Sequence, residues 1–176
     1  MKIREMVTKI IEMENVPTYF NDSKTFLAIT YLKPTSNETR GLYLPDCDSS
    51  EALEYCESSM PDGFRRIKKM IYTKCDFDDI SFSVFSILHE LGHWIQYKDF
   101  IDKGHTDPDF ISTYELQRAI LYTQRNNEYK KCKSKQDVIN LNTKYDTLYA
   151  ELPTEKYADD FALKRLLEHV TIFKQD

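Results

Sequence analysis

The chain has 176 residues, of which 41% are hydrophobic, 30% charged and 13% aromatic, and its formal net charge is -5. Such a composition belongs to a globular protein long enough to bury a core in one domain over residues 1–176, and too aromatic for a disordered chain. The acidic balance excludes the electrostatic footprint of a nucleic-acid binder, and no segment approaches the ~20 apolar residues of a membrane span.

Ile3, Met6, Val7, Ile10 and Ile11 recur at helical spacing, so residues 2–15 are predicted to open the chain as an amphipathic helix that Pro17 ends. The β-branched and aromatic run from Thr25 to Leu32 reads as a strand, followed by turn residues Pro34-Thr35-Ser36-Asn37 and a second strand around Gly41–Leu44. Residues 45–63 are polar, with Asp, Ser, Pro and Gly, and read as a loop with one helical turn. Ile67 to Tyr72 reads as a third strand, and the basic cluster Arg65-Arg66-Ile67-Lys68-Lys69 as the outer face of a strand or helix.

From there the pattern is helical. Asp78 or Asp79 is expected to cap a helix over Ile80–Lys98 that Gly104 closes. Asp107-Pro108 starts a helix over 108–131, another covers 136–150, and Pro153 suits the first turn of a last helix over 153–172. The expected fold class is α+β and zincin-like. Residues 1–98 would hold an N-terminal helix, a small antiparallel or mixed sheet and a buried active-site helix. Residues 99–176 would be a helical half supplying a third ligand. Cys47, Cys56, Cys75 and Cys132 form no C-x-x-C pair, and Met1–Met6 lacks the apolar run of a signal peptide. Reduced thiols and a cytoplasmic location are therefore expected.

His89-Glu90-Leu91-Gly92-His93 is an H-E-x-x-H sequence. Residues four apart on a helix share a face, so both imidazoles can reach one cation, and zinc suits such nitrogen donors. Glu90 points beside that cation, where it can serve as general base toward activated water. Phe82, Val84, Phe85, Ile87, Leu88, Leu91, Trp94 and Ile95 make the helix apolar on nearly every side. Polar groups inside it are costly unless a partner satisfies them. Gly92 leaves room for a close approach by substrate or a neighbouring element. The plain alternatives are a chance match or a hydrogen-bonded pair of core histidines.

A catalytic zinc takes three protein ligands and keeps one position for water. An extended H-E-x-x-H-x-x-G-x-x-H motif fails, because Gln96 and Asp99 stand at its Gly and His places. Cys47 would be the choice in a deformylase-like site, but Asp46-Cys47-Asp48 does not match that pattern. Glu155 is the preferred third ligand. In the last helix Glu155, Asp159, Ala162 and Leu166 form one stripe, with Ala158, Phe161 and Val170 flanking it. Lys156, Asp160, Lys164 and Glu168 line the opposite, solvated face. Inward carboxylates need a partner. Glu155 would ligate zinc and Asp159 would accept a hydrogen bond from the outer ring nitrogen of a ligating histidine. The alternative is two acids favoured by the helix dipole. Glu151 and His105 are rival ligands, and His105, Tyr149 and Tyr157 are weaker candidates for stabilising an oxyanion.

At His89-Glu90-Leu91-Gly92-His93 and Glu155-Lys156-Tyr157-Ala158-Asp159-Asp160-Phe161-Ala162 the chain resembles the ImmA/IrrE family of zinc metallopeptidases. Its second motif reads much like Glu-x-x-Ala-Asp-x-Phe-Ala. The resemblance implies Zn2+ as cofactor and a cytosolic, site-specific endopeptidase, often encoded by phages or mobile elements. Its protein substrate would be a DNA-binding helix-turn-helix repressor. Here the motifs are set further apart than in that family, and the insert from about Asp99 to Ala150 is expected to form an extra helical pair over the cleft. Two other functions compete: a catalytically silent zinc-containing regulatory module, which would not need Glu90, and a SprT-like DNA-associated protease, which the acidic charge disfavours.

Overall fold

A computed structural model describes residues 1–11, 15–30 and 37–174. The chain opens with α1 (Ile3–Ile11), whose Ile3, Met6, Val7, Ile10 and Ile11 are all buried. Three short strands come next: β1 (Thr18–Asn21), β2 (Leu27–Ile29) and β3 (Gly41–Pro45). They form a mixed sheet in the order β1-β3-β2, with β1 parallel and β2 antiparallel to β3. The third strand of the sheet is thus β1, just after Pro17, and not the segment Ile67 to Tyr72. Four residues with half-exposed side chains carry too little alternation to announce a strand, and pairing with β3 makes it one. The predicted strand end at Tyr31 and Leu32, the turn at Pro34-Thr35-Ser36 and the last turn of the predicted first helix lie outside the described residues.

Two predictions are overturned between Asp46 and Tyr72. The expected loop is mostly helix α2 (Ser49–Ser59), and the expected third strand belongs to α3 (Pro61–Ile71). The start of α2 carries a local signal: the Glu51 side chain accepts from the Asp48 backbone N–H at 3.0 Å, so Asp48 starts a helix instead of a turn. Ala52 and Cys56, four apart, are its buried face. In α3 Pro61 occupies the first turn, where its missing N–H costs nothing, and Phe64, Ile67 and Ile71 follow the helical period. A six-residue apolar-polar mixture satisfies both periods, and the longer segment decides for the helix.

Helix α4 (Asp79–Asp102) is the spine of the molecule. Asp78, not Asp79, is its N-cap: the Asp78 carboxylate accepts from the Ser81 backbone N–H at 2.8 Å. Gly104 closes it with a φ of +88°, its N–H bonding the Ile101 carbonyl. Next come α5 (Asp107–Phe110), a π-helical turn (Ile111–Glu115), α6 (Leu116–Tyr129), α7 (Lys135–Ala150) and α8 (Pro153–Lys174). The hydrophobic core draws on α1, β3, α2, α3, the first half of α4 and α8, and includes no residue between Asp99 and Ala150. The architecture is α+β, dominated by helices, with one small mixed sheet. Among the described residues no helix is long and apolar enough to cross a membrane. Cys47, Cys56, Cys75 and Cys132 are free thiols.

Candidate metal centre

The site grows from the seam where α4 lies on α8. Gly92 permits it: a Cβ there would stand 2.9 Å from the Ala158 Cα and 3.2 Å from the Phe161 Cβ, closer than carbon atoms tolerate. The neighbour that needs the space is therefore the last helix. With the backbones this close, the buried stripe Glu155, Asp159, Ala162 and Leu166 faces the histidines of α4. Glu155 is 2% exposed and Asp159 7%, deeper than charged groups settle without partners.

Their partners are all present. The His89 Nδ1–H donates to Asp159 Oδ1 at 3.0 Å, which turns Nε2 of the same ring toward Glu155. His89 Nε2 lies 3.4 Å from Glu155 Oε2, and His93 Nε2 lies 3.6 Å from Glu155 Oε1 and 3.1 Å from His89 Nε2. His89, His93 and Glu155 offer one donor atom each, all within 4.8 Å of one another, and make a group that could hold a metal ion. Glu90 is half-buried beside them and makes no hydrogen bond or ion pair with another described residue.

Each buried carboxylate also has its own guanidinium. Arg66 of α3 bonds Asp159 Oδ2, and Arg118 of α6 donates from Nη2 to Glu155 Oε1 at 2.9 Å. Arg118 Nη1 is 3.6 Å from Glu115 Oε2, and its Cζ lies 5.6 Å from the centre of the Tyr149 ring. Glu115 is itself buried and ends the π-helical turn. Burial pushes the Glu155 carboxyl up, but hydrogen bonds from His89 and His93 outweigh that and hold it far below the usual carboxylate range. Burial pulls the His89 imidazolium down, and its bonds to Asp159 and Glu155 reverse this, pushing it up to about 10. The protein's own groups therefore favour a positive charge between the two imidazoles and the two carboxylates, where a cation would sit. Tyr149 is pushed up by burial and by Glu155, so it stays a neutral hydroxyl.

The weaker candidates separate clearly. Glu151 is exposed and pairs with Lys156. His105 is exposed, stacked on Phe100 with ring centres 4.2 Å apart. Tyr157 is half-buried, its hydroxyl raised by burial and by Asp99. Tyr149 alone of these stands next to the cluster, beneath Arg118. Local pattern does not single out Arg66, Arg118 or Glu115. The basic run puts Arg66 on an outward face, yet it is half-buried and turned to Asp159, because α3 is a helix and the strand register does not apply. A faint signal for Glu115 and Arg118 exists in their i,i+3 spacing.

A cavity of ≈ 80 Å³ adjoins the cluster, bordered by β2, His93, Phe110, Glu115, Arg118 and Thr154. Strand β2 ends the order β1-β3-β2, so one of its sides is unpaired among the described strands. The chain matches no protein-family model, no curated protein and no solved structure.

Proposed function

We propose that the chain is a zinc-dependent endopeptidase with a zincin-like site, in which His89, His93 and Glu155 hold the metal and Glu90 is the general base. The observation that carries this reading is the convergence of those three residues from two helices, with one donor atom from each and all three within 4.8 Å of one another. Donors ~2.0–2.1 Å from a tetrahedral ion stand roughly 3.3–3.4 Å from each other, so small side-chain shifts would bring these three to zinc distances. Two imidazoles and one carboxylate are also the donor types of a catalytic zinc, which leaves a fourth position free. A zinc ion held there supplies a Lewis acid that polarises a carbonyl and lowers the pKa of water to ~7.

The rest is the work of the chain. Asp159 orients the His89 ring and fixes its tautomer, and Arg66 in turn holds Asp159. Glu90, one residue from His89 and without a hydrogen-bond partner among the described residues, takes a proton from the attacking water. As the water oxygen bonds to the carbonyl carbon, Glu90 Oε gains that proton. When the C–N bond breaks, that proton passes to the departing nitrogen, and the second water proton then moves from the new carboxyl group to the amine, leaving a carboxylate and an ammonium group. An extended peptide would meet the side of β2 that is unpaired among the described strands, whose backbone groups offer strand pairing beside the cavity. Likeness of both motifs to the ImmA/IrrE peptidases supports the same reading and makes a helix-turn-helix repressor the first substrate to try.

The test is a search for new protein N-termini. Purified protein, loaded with zinc, is incubated with the proteome of a host cell and the resulting termini are labelled and sequenced. A defined set of new termini is expected, abolished both by chelation and by Glu90→Gln. A chain that binds no zinc after reconstitution, or a set of termini unaffected by Glu90→Gln, overturns the reading.

A further inference from the structure

We propose that Arg118, supplied by the helical segment between the two motifs, is a catalytic residue that stabilises the oxyanion formed when the peptide carbonyl is attacked. The inference rests on the peptidase reading above and assigns a role which that reading leaves open. As the carbonyl π pair moves onto oxygen, a full negative charge develops, and fixed donors aimed at that point lower the barrier more than any other single effect.

Arg118 meets the requirements of such a donor. It lines the cavity together with His93 and the β2 residues, so a carbonyl placed there meets the guanidinium. It is anchored on three sides: Glu155 Oε1 at 2.9 Å, Glu115 Oε2 at 3.6 Å and the face of Tyr149. A group held this way costs no reorganisation when charge appears. Among the described residues its donor capacity is also mostly unspent. A guanidinium carries five N–H groups. Arg118 makes a single hydrogen bond to a described residue, its contact to Glu115 being an ion pair longer than a hydrogen bond. The Nε–H is buried with no acceptor among the described residues. Spare donors on a buried cation are costly unless a ligand uses them.

The competing side chains fit less well. His105 is stacked on Phe100 and Tyr157 is not among the groups bordering the cavity. Tyr149 does not border the cavity either. Glu115, the last residue of the π-helical turn, is the buried carboxylate beside the arginine.

The experiment avoids any need for the natural substrate. Cobalt(II) replaces zinc as a coloured probe, and methylphosphonate serves as a tetrahedral anion resembling the attacked carbonyl. Imidazole serves as a neutral ligand. In Arg118→Gln, methylphosphonate should bind at least ~10-fold more weakly by its visible-band shift, while imidazole binding changes less than ~2-fold. Arg118→Lys should fall between, because a point charge replaces the planar fork. With a cleavable peptide in hand, Arg118→Gln should lower kcat by ~10²–10³-fold and leave KM nearly unchanged. Unaltered methylphosphonate binding in Arg118→Gln overturns the assignment while leaving the peptidase reading standing. Loss of cobalt from both variants overturns it as well, since Arg118 would then act only by positioning Glu155. Failure of the parent chain to bind zinc or cobalt is a different result and removes the peptidase reading itself.

Discussion

The seam between α4 and α8 and the helical segment between Asp99 and Ala150 are built by opposite rules. In the seam nearly every residue of α4 from Ser81 to Leu88 is buried, and α8 contributes Ala158, Phe161, Ala162, Leu166 and Val170 to the same core. By contrast, α6 buries no residue, and Leu116 and Ile120 are about half exposed. Dense packing on the seam fixes the histidines and their carboxylates, as a site that must hold donors in place requires. The intervening helices touch the site through a few polar contacts, chiefly Arg118 on Glu155. The histidines and carboxylates are thus set by one region, and the arginine that pairs with Glu155 comes from another that stands outside the main core.

The sharpest break of this contrast is Glu90→Gln. On the seam, removing one proton acceptor should leave fold and metal content intact, yet peptidase turnover should fall ~10²–10⁴-fold. Zinc content and circular dichroism measured beside turnover decide it; unchanged turnover moves the base elsewhere. Zinc affinity by competition with a coloured chelator comes next. Glu155→Gln should weaken binding most, and Asp159→Asn by ~10–100-fold through the loosened His89 ring. Glu151→Gln and His105→Ala should do little, since both side chains are exposed and away from the donors. A larger loss in either of the last two replaces Glu155 as the third ligand.

Gly92→Ala tests the seam's packing directly. The added methyl meets the α8 backbone, which cannot step aside, so unfolding should cost ~1–3 kcal/mol less and the Tm should fall by several degrees. A stable Gly92→Ala protein would mean that the helices are less closely set than described.

A smaller effect concerns the clasp that ties the second region to the first. Arg40 bonds both Tyr97 and Asp107, and the Tyr97 hydroxyl donates to Asp107 at 2.6 Å. Burial, together with that bond, pushes the Tyr97 hydroxyl up to about 12 from an ordinary 10.0. Its folded pKa is raised, so its contribution is whole below pH ~10 and lost as pH climbs through about 12. Hydrogen exchange in α5 and α6 should therefore accelerate across that window before exchange in α4 and α8 does. Tyr97→Phe should cost ~0.5–1.5 kcal/mol and flatten the response. Smallest of all, Ile120→Ser on the exposed face of α6 should stay within ~0.5 kcal/mol of the parent in denaturant unfolding.

Much of this is readable from local pattern. An i,i+4 pair of histidines shares a helix face whatever surrounds it, and the apolar residues around His89 announce a buried helix. The stripe from Glu155 to Leu166 follows the same period, so its burial is predictable before any partner is known. The start of α4 is marked by its cap Asp78, whereas the cap of α5 is Thr106, one residue before the expected Asp107-Pro108 start. Where periodicity is ambiguous, prediction fails: Ile67 to Tyr72 suits a strand in isolation, and only a helix beginning at Pro61 lets Phe64 and Ile71 be buried together.

The sequence by itself therefore determined the two motifs, the helices that carry them and the inward face of each. Tertiary structure alone decided which charges meet. Arg66 finds Asp159 across 93 residues and Arg118 finds Glu155 across 37, distances over which no periodicity carries information. Strand β1 likewise exists because β3 lies beside it. Helical period is a property of neighbouring residues, whereas an ion pair or a strand pair is a property of two backbones brought together by packing elsewhere. In this molecule that packing is the α4–α8 seam, which closes only because position 92 has no side chain.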